Sequence, residues 1–195
     1  MSAIPQKGDM AFSGPADVKH GMAFLKVIEF DRSYIEGFKA AADTLVQSIL
    51  GPDAHRRYQM VIPVGYLYRH YLELQLKYRL FLGNESGIFT TTPKQRKGHF
   101  LTDLWERARI LILKLYPNES RETLDAVEAI INEFHTIDET GEGFRYWMLN
   151  DNKTPSPEKL PVDFSLQNLS DQLAKMQNYL STIAVKLEQE CDGPG

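Results

Sequence analysis

Arg69, His70, Glu73 and Lys77 are the residues of this chain whose types and spacing best suit shared chemistry. They lie in the run Tyr66-Leu67-Tyr68-Arg69-His70-Tyr71-Leu72-Glu73-Leu74-Gln75-Leu76-Lys77-Tyr78-Arg79-Leu80. At 100° per residue of a helix, the four fall within one sector about 100° wide. An imidazole that titrates near neutrality, set beside a guanidinium, an ammonium and a carboxylate, could move a proton and hold an anion. The same spacing has a structural meaning. Arg69, Glu73 and Lys77 stand at i, i+4 and i+8, the register of an intrahelical ion-pair ladder worth ~0.2–0.5 kcal/mol per exposed pair. Gln75 and Arg79 form a second polar strip, separated from the first by Leu and Tyr. A surface helix needs one polar face. Two strips predict a central helix with neighbours on both sides, one strip facing a groove or a partner.

Further candidates lie downstream. His99 follows Lys97-Gly98 and precedes Asp103 by four residues; it reads either as a local His–Asp pair or as a proton-transferring or phosphate-contacting group beside the basic Lys94-Gln95-Arg96-Lys97. Phe144-Arg145-Tyr146-Trp147 follows Gly141 and Gly143. Either its aromatics plug the core while Arg145 pairs with Glu73 or Asp138, or Arg145 is the anion-binding fork of a site. Glu73, His99 and Arg145 are expected to share one polar cluster. The candidate ligand-binding set is Arg69, His70, Glu73, Lys77, His99, Arg145 and Tyr146, with catalytic roles unassigned. His135, near a helix C-terminus, and the carboxylates Glu119, Glu122 and Asp125, near a helix N-terminus, read as structural.

Several chemistries lack their motifs. The chain has no glycine-rich phosphate loop, no His-Glu-x-x-His and no Gly-x-Ser-x-Gly. Its one cysteine, Cys191, excludes an internal disulfide framework and a cysteine zinc site. No metal and no cofactor is expected. The net charge of −4 hides an asymmetry: residues 56–109 carry 10 basic and 4 acidic side chains, residues 110–195 carry 7 and 15. The basic middle could meet phosphates or face the acidic end within the fold or across a dimer. No apolar run approaches the ~18 residues of a membrane span, and the start lacks a signal pattern, so a cytoplasmic protein that does not contact membrane is expected.

The elements that must position these residues are helical. Residues 1–23 read as an irregular lead-in, 24–190 as the bundle domain and 191–195 as a tail, with Phe24 to Phe30 a short strand or extended arm. A first helix follows Asp31 or Ser33 and stops at Gly51-Pro52. A second runs from about Asp53–Arg57 to Leu82, kinked or divided at Pro63 and ended by Gly83. After a long polar loop to Gly98, a third runs from His99 to before Pro117, and a fourth from Ser120 through Phe134. Phe144 to Trp147 reads as extended, Asn150 to Pro161 as a linker, and a last helix carries Leu166 through Leu187. The pattern predicts an all-α antiparallel bundle of about five helices around a long central one. Apolar stripes on two sides of that central helix, more than one core needs, predict a two-fold dimer.

Arg69-His70-x-x-Glu73-Leu74-x-Leu76-Lys77, Gly98-His99-x-Leu101-x-x-Leu104-Trp105, Phe134-His135-x-x-Asp138 and Phe144-Arg145-Tyr146 together resemble the HEPN-type helical bundle proteins, over about residues 55–147. These are bacterial domains of toxin–antitoxin, abortive-infection and mobile-element systems. The resemblance implies a homodimeric bundle acting in stress or phage defence, with RNA, a nucleotide or an antitoxin protein as partner. Active members are metal-independent RNases with an arginine, four to six intervening residues and then a histidine. That spacing is missing here: two residues separate Arg96 from His99 and twelve separate Arg57 from His70. The family's catalytic pair therefore does not carry over. The expectation is a binding protein; the alternatives are an RNase using His70 or His99 with Arg69 or Arg145, and a non-catalytic interaction module.

Overall fold

The computed structural model of the chain describes residues 32–92, 98–146, 148, 153–161 and 163–191. The sequence expectations for residues 1–31, for 93–97, for Trp147, for 150–152 of the linker and for 192–195 of the tail lie outside these. Among the described residues the protein is all-helical: α1 (Arg32–Ile49), α2 (Ala54–Glu85), α3 (Leu101–Leu115), α4 (Arg121–Ile137), a short 3-10 turn (Ser156–Lys159) and α5 (Leu166–Cys191). Phe144 and Arg145 sit in a turn rather than in extended backbone.

α2 is the pillar. It packs against α1, α3 and α5, while α4 reaches the core through α3. Its 32 residues include Pro63, which does not divide it. Pro63 removes the helix bond to the Gln59 carbonyl, but both residues are exposed at the solvent end of α2, where water can replace that bond. Asp53 caps the start by accepting from Arg56 N. Gly83 does not stop the helix. It is a packing position, where an added Cβ would lie 2.8 Å from the Leu111 side chain. The helix runs two residues further, to Glu85, and the chain then turns through Ser86 and Gly87, the latter at φ 71°.

Paired contacts give the helix directions. Glu36 with Gln75 and Asp43 with Tyr68 make α1 and α2 antiparallel. Trp105 with Glu128 and Arg109 with Asp125 do the same for α3 and α4. Arg69 with His99 and Gly83 with Leu111 show α2 and α3 running in the same sense, so the long connection after Glu85 carries the chain back before α3 begins. The second polar strip of α2 turns inward. Gln75 donates to Glu36, and Arg79, 1% exposed, donates from Nε and one terminal nitrogen to the Leu180 carbonyl of α5. Burial pulls the Arg79 guanidinium down to about 10.

Candidate functional site

The first polar strip of α2 is joined to two other segments by Arg69, which is 2% exposed. Its Nε lies 3.1 Å from the Asp138 carbonyl and 3.2 Å from Asp138 Oδ2, at the end of α4. One terminal nitrogen donates to Glu73 Oε2 at 2.8 Å, and the other to the His99 carbonyl at 2.8 Å, just before α3. A guanidinium is suited to this work because its donors point in fixed directions and its charge does not titrate near neutrality.

The turn after α4 is shaped around that guanidinium. Gly141 has φ 80°, and a Cβ there would lie 3.0 Å from the nearer Arg69 terminal nitrogen, so both backbone and space require glycine. Gly143 donates its N–H to Asp138 Oδ1 at 2.8 Å. Asp138 therefore holds Arg69 and the turn at once. The sequence offers Asp138, or else Glu73, as a partner for Arg145; the structure pairs Asp138 with Arg69 instead.

Glu73 is the second node. Its Oε1 takes Lys77 Nζ at 2.7 Å and contacts His99 Nδ1 at 2.9 Å. Burial raises the Glu73 carboxyl, but bonds and charge from Lys77 and Arg69, with the His99 contact, outweigh it and hold it below the usual carboxylate value. An ionised carboxylate can only accept, so the His99 proton facing it sits on Nδ1. That leaves a carboxylate-oriented imidazole, 57% exposed on its side chain, at the surface beside Lys77. A group so held can accept a proton at Nε2.

Arg69, Glu73, Lys77 and His99 thus form one connected cluster. His70 and Arg145 belong to a neighbouring strip rather than to that cluster. Tyr66 and His70, one turn apart on α2, stack with centroids 5.7 Å apart and planes at 5°. Phe38 of α1 meets His70 edge-on at 4.5 Å, and Tyr34 meets Phe38 edge-on at 5.4 Å. Arg145 is exposed and lies over the Tyr66 ring, 6.0 Å from its centroid. Tyr146 beside it is 54% exposed. Burial, reinforced by Arg145, Lys77 and Arg69 against the opposing charge of Glu73, lowers the His70 pKa and favours its neutral form. The parts of this strip not foreseen, Tyr66, Phe38 and Tyr34, could be sought as aromatics sharing the His70 face, but two belong to α1, whose register no helical period reveals.

Among the described residues no group of three or more His, Cys, Asp or Glu side chains is arranged to hold a metal ion, and no helix is long and apolar enough to cross a membrane. Comparisons with known families, curated proteins and solved structures find no match to this chain.

Proposed function

We propose that this protein is a HEPN-like binding module of a bacterial stress or phage-defence system that holds single-stranded RNA on the strip formed by Arg145, Tyr66, His70 and Phe38. The observation that carries this reading is the partly exposed stack itself: a guanidinium over a tyrosine ring, itself stacked on a neutral imidazole, with phenyl edges behind. Unpaired bases stack on such surfaces at ~1–3 kcal/mol per base. Lys77 and His99 stand on the same side of α2, one to two turns along, where a phosphate of the same strand could lie. Arg69 supports the reading from the other direction. Its donors are taken by Asp138, Glu73 and the His99 carbonyl, so it braces the site rather than serving a transition state.

The test is fluorescence anisotropy with a labelled single-stranded oligoribonucleotide and the matching duplex. The parent should bind the single strand more tightly. Tyr66→Leu and Arg145→Ala should weaken that binding several-fold with unchanged circular dichroism. Equal binding by parent and variants would remove the proposal. A second reading, a metal-independent RNase, is favoured by the Glu73–His99 pair, because a carboxylate-oriented imidazole is a suitable general base. It requires cleavage that His99→Ala abolishes.

A homodimer is part of the proposal, on the resemblance. Both apolar sides of α2 are used within one protomer, so the interface has to draw on other surface, where Phe81, Ile110 and Leu113 are exposed.

A further inference from the structure

A cavity of about 320 Å³ lies between the N-terminal half of α2, α4, the segment before α5 and the first turns of α5. It is separate from the strip and cluster described above. Its presence depends on Gly65, where an added Cβ would lie 2.5 Å from the Phe144 ring, so the absent side chain lets that ring lie against α2. Phe134 of α4, Phe144 and Phe164 give three aromatic walls. Among the described residues the polar groups that line the cavity are Glu133, Ser165, Asn168 and Gln172, with no Lys, Arg or His. Glu133, Ser165 and Asn168 are exposed, which puts the carboxylate and its uncharged polar neighbours at the mouth with Phe164, itself exposed, while the Phe134 and Phe144 rings lie further in.

We infer that this cavity binds a small amphiphilic amine, its apolar body among Phe134, Phe144 and Phe164 and its ammonium at Glu133. The volume lies at the lower end for ligand sites, ~300–1,000 Å³, and at ~30 Å³ per heavy atom holds roughly ten. The sign of the head group follows from the lining. A cation gains the Glu133 carboxylate and the negative faces of aromatic rings, whereas among the described lining residues a carboxylate head meets one negative group and no positive one. Serine, asparagine and glutamine can accept the ammonium protons that Glu133 does not take.

The probes are n-octylamine, octan-1-ol and octanoate, titrated into the full chain below their aggregation concentrations and followed by calorimetry and by NMR of the Ile130, Leu169 and Leu173 methyl groups. The amine should bind at about millimolar affinity, more tightly than the alcohol, with octanoate weakest. Glu133→Gln should cost the amine about three- to fivefold, the strength of an exposed ion pair, and leave the alcohol unchanged. Leu169→Trp should abolish binding of all three by filling the cavity. If that variant does not fold, Ile130→Phe serves the same purpose, and the Glu133→Gln comparison stands without either. Octanoate binding as well as the amine, an amine affinity indifferent to Glu133→Gln, or no shift of those methyl signals at several millimolar amine would each overturn the inference.

Discussion

Replacing Arg69 by methionine removes the charge and keeps much of the volume, and the structure sets what that should cost. The side chain is 3% exposed and its donors reach Asp138, Glu73 and the His99 carbonyl. In the variant, Glu73 keeps Lys77 and His99, but Asp138, also 3% exposed, loses its cation while still holding Gly143. Breaking a buried pair from one side costs ~3–5 kcal/mol, a large share of the ~5–15 kcal/mol that holds a domain folded. At ~2–4 °C per kcal/mol for a chain of this size, the Tm should fall by about 6–20 °C. The comparison is His99→Ala, which removes a contact whose imidazole is 57% exposed; surface pairs are worth ~0–1 kcal/mol, so its Tm should fall by no more than about 4 °C. Both are read by far-UV circular dichroism on heating, with urea melts to confirm that the m-value is unchanged. An Arg69→Met variant that melts within 2–3 °C of the parent, roughly the effect of 1 kcal/mol, would refute the view that Arg69 braces α2, α3 and the turn after α4.

Three further outcomes follow from neighbouring positions. Gly141→Ala should lower the Tm by more than Gly87→Ala in parallel melts, since both have positive φ but only at Gly141 does the added methyl meet a neighbour, the Arg69 guanidinium. As far as His70 and Glu73 set it, stability measured against pH should be full above about pH 6.5. It should start to fall below that value because the lowered pKa of His70 makes its protonation unfavourable in the fold, and fall faster below about pH 4.5, where the unfolded state takes up the proton that folded Glu73 resists; Glu73→Gln should flatten the lower limb. Arg79→Met should cost less than Arg69→Met, and less than about 1.5 kcal/mol in urea melts, because the carbonyls that Arg79 bonds lie inside α2 and α5 and keep their helical partners while a buried charge is removed.

What was legible in the sequence was mostly periodic. The apolar stripes located the helices, and the two polar strips of α2 foretold neighbours on both sides, as the inward course of Gln75 and Arg79 bears out. The i, i+4 spacing likewise gave the Arg69–Glu73–Lys77 ladder. Local signals misled where tertiary context overrode them. Gly83 is a helix terminator by propensity, but Leu111 needs its bare backbone; Pro63 breaks a buried helix, but here the freed carbonyl is at the exposed end. The links between segments were the least readable. Nothing local told that Asp138 would meet Arg69 rather than Arg145, or that Phe38 and His70 would touch, because such pairings depend on how helices far apart in the chain align.

The most direct test of the proposed function is photocrosslinking of a 4-thiouridine-containing single-stranded RNA to the full chain, with the adducts mapped by mass spectrometry. Stacking on the Arg145–Tyr66–His70–Phe38 strip predicts adducts on the peptides carrying Tyr66, Phe38 or Tyr146, lost in Tyr66→Leu while the fold persists. Adducts confined to other surfaces, or unchanged by that substitution, would contradict it.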